Sequence, residues 1–244
     1  MIGRRVIFLH TFAVVAAMKV LFPFATAHGD DTAPTEGLFN SFEIKSTNLS
    51  ALPQWQRIMR AIKEERPLYT RCRESLAMCP DPGLGKWQLF LKRTAEKNLP
   101  RRQLLEHVQR FSRQWSYRED TALYGESDYW ASPQEFAAAG GDCEDYAIFN
   151  YEGLKKLGVR PEKMRIVVVE DSIRERDHAV LAVYPSQEEN EKNTPVYILD
   201  SLMAGVLPEN KFSQYTPVYS VNHTARWIHI PQKRFTPNND SSYK

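Results

Sequence analysis

The chain has 244 residues, 42% hydrophobic and 25% charged, with a formal net charge of +2. That is ordinary globular composition, with length for one sizeable core or two small ones, and it excludes a collagenous, disordered or disulfide-dense chain. No basic stripe marks it as a nucleic-acid binder; the arginines of "RRQLLEHVQRFSRQ" suit the wet side of an amphipathic helix.

The first residues differ from the rest. "MIGRRVIFLHTFAVVAAMKVLFPFATAHG" opens with Arg4 and Arg5, runs apolar and reaches Ala25-Thr26-Ala27, the layout of a secretory signal peptide over residues 1–27. Lys19 interrupts the run, leaving pieces shorter than the roughly 20 residues of a spanning helix. Cleavage after Ala27 removes three cations and no acid, taking the net charge from +2 to −1. No later segment is apolar enough to span a bilayer, so the mature protein carries no transmembrane segment. In an exported protein, three cysteines suggest one pair and one free thiol. Cys72 and Cys79 would stand about 10 Å apart on a continuous helix, too far to bridge. Pro80 and "PDPGLG" predict that the helix ends near Cys79, so a bend can close the disulfide. Cys143 then lacks a nearby partner.

Residues 28–50 are polar and predict an arm laid on the surface. A helical part follows over 51–120. "QWQRIMRAIKEE" stops at Pro67 and "GKWQLFLKRTAEKN" before Pro100. Pro100 suits the first turn of a helix with Leu104, Val108, Phe111 and Trp115 at helical spacing. "DTALYGESDYWASPQEF" reads as a loop from its Gly, Ser and Pro content. "GGDCEDYAIFNYEGLKKLGV" predicts a helix capped by Asp142, with Glu144 and Asp145 in its first turn and Gly158 as its stop. The period then changes. "MRIVVVE", "HAVLAVYP" and "TPVYILDS" predict three strands, and "YTPVYSVNH" and "ARWIHI" two more, arranged as an antiparallel meander. The tail 236–244 reads as disordered. Helices followed by strands imply an α+β fold, a single domain over 51–235 with its chemical core in 121–235.

Cys143 at a helix start has the dipole and free N–H groups that lower a thiol's pKa and hold an oxyanion. A cysteine peptidase further needs a histidine to carry the proton and a group to orient it. His178, at a strand start, and Asp200, at the end of the next strand, suit those roles if the strands are neighbours. His223 and His229 are rival bases, and Asp200 equally suits a turn cap. Asp142, Glu144 and Asp145 pose a conflict, since unpaired acids raise a neighbouring thiol's pKa; they also suit a helix N-terminus on dipole grounds alone.

Taken together, "YGESDYWASPQEF", "GGDCEDYAIFNYEGLKKLGV", "DHAVLAVY" and "YILDSL" closely resemble the bacterial transglutaminase-like cysteine proteinases, periplasmic enzymes that release large surface adhesins. The resemblance implies a papain-like, transglutaminase-like fold, with N-terminal helices and a central catalytic helix packed on an antiparallel sheet. It implies a Cys143–His178–Asp200 triad and a Ca²⁺ held by Asp142, Glu144 and Asp145, with Asp128, water or backbone carbonyls completing the shell. It implies as partners an adhesin substrate, whose release detaches cells from a biofilm, and an inner-membrane cyclic-di-GMP receptor that sequesters the protease. The family commonly reads Leu-Asp-Asn at the third site, where this chain has Leu199-Asp200-Ser201, which leaves any role of that asparagine open. Transglutaminase-like folds also host amide transfer and deamidation, and a calcium-stabilised binding module would keep the collar without the chemistry.

Overall fold

The computed structural model describes residues 34–186 and 194–232. The expected signal peptide, the start of the expected arm and the expected tail lie outside them. Among the described residues no helix is long and apolar enough to cross a membrane.

The expected surface arm is part of the sheet. Strand β1 (Thr35–Glu36) pairs with β2 (Ser41–Ser46), and β2 pairs antiparallel with the last described strand, Arg226–Pro231, over six residues. The misreading has a physical cause. The buried positions of "SFEIKS" are polar: Ser41 and Glu43 face inward, Phe42 and Ile44 are only half-buried. Burial is tolerated because each polar group is paired. Ser41 Oγ bonds His229 Nδ1 at 2.9 Å, and Glu43 receives Arg165 at 2.7 Å. The hydrophobic alternation that marks a strand is therefore inverted.

Helix α1 (Pro53–Glu74) starts at a proline but does not stop at one, since it runs through Pro67. An internal proline costs about 3 kcal/mol. Packing on both sides of it offsets this: Trp55, Ile58 and Ile62 enter one core cluster and Tyr69 and Cys72 another. Past Glu74 the chain turns through Leu76–Met78 and brings Cys79 to a Cα separation of 4.5 Å from Cys72, and the two form a disulfide. By loop-closure entropy a bridge over so short a loop contributes about 2–3 kcal/mol. Cys72→Ser with Cys79→Ser is expected to lower the melting temperature by roughly 5–10 °C. Calorimetry checks this, and an unchanged transition would refute it.

Helix α2 (Pro82–Ala95) is capped by Asp81, which accepts from Leu84 N at 2.7 Å. Helix α3 (Arg101–Ser112) buries Leu105, Val108 and Phe111, while Trp115 lies beyond its end. The expected loop contains two short helices, α4 (Asp120–Leu123) and α5 (Pro133–Ala139). Ser132 and Glu135 form a capping box at α5, a start signal that outweighs the local glycine and serine content. Helix α6 (Cys143–Lys156) is buried on every side from Cys143 to Leu154, so it runs through the molecule between the other helices and the sheet. One side of it meets Trp87, Phe136 and Phe111; the other meets Trp55, Leu105 and the inner face of the sheet. Gly158 ends the segment at φ +93°.

The remaining strands are β3 (Met164–Asp171), β4 (Arg176–Val183), β5 (Tyr197–Leu199), β6 (Leu207–Pro208), β7 (Tyr215–Val221) and β8 (Arg226–Pro231). Every pairing is antiparallel, in the order β1-β2-β8-β7-β3-β4-β5-β6. The expected simple meander holds only for β3-β4-β5-β6. Strand β7 returns to the other side of β3, which makes β3 central and lets β8 meet β2. Helices packed on one antiparallel sheet make the expected α+β architecture.

Candidate active site

Two glycines set the entry to α6. Gly140 has φ +80°, and a Cβ there would lie 2.3 Å from the Ser116 carbonyl oxygen. A Cβ on Gly141 would lie 2.1 Å from Asp145 Oδ2. Any side chain at these positions would displace the helix start. Asp145 holds the entry from inside: Oδ2 accepts from Asp142 N at 3.2 Å and Oδ1 from Ala131 N at 2.6 Å. Cys143 follows at the first helical position, where backbone N–H groups have no intrahelical acceptor.

The sheet presents the other two groups. His178 lies in β4, and Asp200 follows β5 directly; the strands are neighbours, with Leu181 opposite Leu199. His178 Nε2 and Asp200 Oδ1 are 2.8 Å apart. Burial works against the Asp200 carboxylate, but hydrogen bonds from His178, Tyr215 and Leu202 N–H outweigh it and hold its pKa below the usual value. An ionised carboxylate only accepts, so Nε2 carries a proton and Nδ1 is the ring nitrogen left to exchange a proton with the thiol.

Cys143 and His178 line one open cleft of about 450 Å³, with Asp142, Glu144, Trp130 and Tyr219 around them. The thiol's own hydrogen bond runs to Glu144 Oε2 at 3.1 Å, not to the imidazole. Burial, then the charge of Glu144 and that hydrogen bond, then Asp142 push the thiol pKa well up; the Ala179 backbone N–H works the other way. The rival histidines sit elsewhere. His229 bonds Ser41 and Ser220, both at 2.9 Å, and burial lowers its pKa to about 4. His223 bonds Tyr151 OH and Lys155 Nζ, both at 2.8 Å.

The acids beside the thiol form two overlapping clusters, Asp142–Cys143–Glu144 and Asp120–Asp142–Asp145, each with ligand atoms within 4.8 Å of one another. Asp120, from α4, is the residue that sequence reasoning missed, because no spacing rule links it to the cysteine segment. Asp128, named with water and backbone carbonyls as a further ligand, falls in neither cluster; its Oδ2 accepts from Gln54 at 2.7 Å and its Oδ1 from Trp130 Nε1 at 2.9 Å. Burial first and neighbouring acids second push Asp120 up to about 6. The same causes raise Asp142, and burial is the main cause at Glu144 and Asp145. Asp120 Oδ1 and Asp142 Oδ1 are buried without a hydrogen-bond partner. Converging, partnerless carboxylate oxygens in a desolvated site are the donor set of a hard divalent cation.

The family model described as bacterial transglutaminase-like cysteine proteinase BTLCP matches residues 69–235. Structures of LapG from Legionella pneumophila are similar. The calcium-bound form is 33% identical over 60% of this chain and 77% of its own, with a TM-score of 0.52. A second is 30% identical over 66% and 87%, at 0.55, and the EGTA-treated form 28% identical over 69% and 92%, also at 0.55. A comparison with curated proteins finds no match. The family match runs from the end of α1 to just past β8, more than half of the chain rather than one motif, and on that ground the chain belongs to the bacterial transglutaminase-like cysteine proteinases.

Proposed function

We propose that the chain is a periplasmic, calcium-dependent cysteine endopeptidase that cuts the N-terminal region of a large surface adhesin, releasing it and promoting biofilm detachment. The observation that carries the chemistry is the placement of Cys143, at the start of a buried helix, in one cleft with a histidine already oriented by Asp200. His178 Nδ1 takes the thiol proton as the sulfur attacks the scissile carbonyl carbon. The N–H groups at the start of α6 hold the developing oxyanion. His178 returns the proton to the leaving amine and then deprotonates the water that hydrolyses the thioester. Asp200 keeps the imidazole in the Nε2–H form and stabilises its charged state.

Asp142, Glu144, Asp145 and Asp120 would hold the ion. Calcium, when bound, supplies positive charge that offsets the carboxylates raising the Cys143 pKa. LapG structures in calcium-bound and EGTA-treated forms support this choice of ion. The signal-like residues 1–27 support export, and the family resemblance supports a cyclic-di-GMP receptor in the inner membrane as the partner that sequesters the enzyme.

The test is incubation of the mature protein with N-terminal fragments of large adhesins, in calcium and in EGTA, with mass spectrometry to locate the cut. One defined cut, present in calcium and absent in EGTA, is expected. Ammonia release from a glutamine peptide, without peptide-bond cleavage, would replace the endopeptidase reading with an amidase one.

A further inference from the structure

Asp200 is gripped at both carboxylate oxygens. Oδ1 faces His178 Nε2 and accepts from Leu202 N at 2.9 Å. Oδ2 accepts from Tyr215 OH at 2.6 Å, its one hydrogen-bond donor among the described residues. Tyr215 opens β7 and is buried. Burial first, then the bond to Asp200, pushes its pKa far above the ordinary value, so the hydroxyl stays a donor.

Its ring is held in turn. Phe212 stacks on it at 5.2 Å, and Phe39 meets it edge-on at 5.9 Å. Phe39 belongs to the turn between β1 and β2, where Phe39 and Asn40 have φ +51° and +55°. Two left-handed residues are what a two-residue type I′ hairpin needs, but a bulky aromatic is a poor occupant of that region. The turn is kept there by Gly37 N donating to Ser41 O at 2.8 Å and by Phe39 N–H donating to the Glu209 carboxylate. Strain that neighbouring contacts over-determine often marks a constraint tied to function.

We propose that Tyr215 is a positioning residue for the His178–Asp200 pair, and that the β1–β2 turn, with Phe39 against its ring, clamps it in place. The proposal rests on the triad reading above. Without the hydroxyl, Oδ2 loses its donor, and the carboxylate can turn away from Nε2. The imidazole would then lose its fixed orientation, although no catalytic group had been removed.

The test is nitrogen-detected NMR of the mature protein labelled at histidine, with the exchange rate of the His178 Nε2 proton as readout. Tyr215→Phe is expected to speed that exchange about tenfold or more, the scale of one hydrogen bond to a charged group. Phe39→Ala should act in the same direction and less strongly. On a cleaved fragment, Tyr215→Phe should lower kcat about tenfold and leave KM unchanged, the split expected of a transition-state effect. His229, bonded on both ring nitrogens, reports an intact fold and should not change. Wild-type exchange at His178 in Tyr215→Phe, with Asp200→Asn abolishing the protected proton, would overturn the proposal and leave the triad standing. Protection surviving Asp200→Asn would sink the triad itself. Should Tyr215→Phe disturb His229 as well, Phe39→Ala decides by the same criterion.

Discussion

Cys143→Ala is expected to abolish cleavage, by a factor of at least about 10⁴, while the protein still folds. Among the described residues lining the cleft, Cys143 carries the one thiol, and it stands at a helix start. Folding should survive because Cys143 belongs to none of the three core clusters and stands at the first position of α6. His178→Ala should cost as much as the thiol does. Asp200→Asn should cost about 10⁴-fold for a different reason. The asparagine amide would donate to the ring nitrogen that now donates, invert the tautomer and put the proton on Nδ1, where the base is needed. Measured turnover with matched circular dichroism and melting curves checks all three. Cleavage surviving Cys143→Ala would end the peptidase reading.

The second large effect concerns the acidic collar. Asp120→Asn is expected to weaken calcium binding at least about tenfold, or about 1.4 kcal/mol, and to lower activity at limiting calcium. Asp128→Asn should do far less, since Asp128 stands in neither cluster of converging acids. The reverse ranking, read by calcium titration of the melting temperature, would misplace the site.

The same site makes the calcium effect depend on pH. The collar acids have raised pKa values in the folded, metal-free chain. Between the unfolded carboxylate range near 4 and their folded values, the folded state holds more protons than the unfolded one. Metal-free stability from these groups is therefore present at low pH and lost as pH rises through the folded values, about 6 for Asp120. Bound calcium requires the ionised acids and releases those protons. Calcium should then raise the melting temperature little at pH 5 and by roughly 5–10 °C at pH 8, the scale of a ligand at about a hundred times its Kd. A calcium shift equal at both pH values would remove the collar as the binding site.

Much of this was legible along the chain. Local rules place α6 and its ends: two glycines before Asp142, acids in the first turn, Gly158 at the end. The β-branched run "MRIVVVE" and its alternating neighbours give the strands. Proline after Cys79 signals the bend that closes the disulfide. What failed were elements whose signal is not local. Pro67 stays helical because clusters far away in sequence pack on both sides of it. Ser41 and Glu43 are buried because His229, in the last described strand, and Arg165, in β3, pair with them from distant segments.

The sequence by itself determined Cys143 at a helix start with acids on both sides of it, because local rules specify that helix; His178 and Asp200 stood out from their rivals only through the family resemblance. Only the tertiary structure decided which partners surround them. Asp120 comes beside Asp142 and Asp145, Asp128 hydrogen-bonds Gln54 and Trp130, and Tyr215 with Phe39 stands behind Asp200. Those meetings depend on strand order and on burial, which bring together side chains from segments that share no period and no spacing.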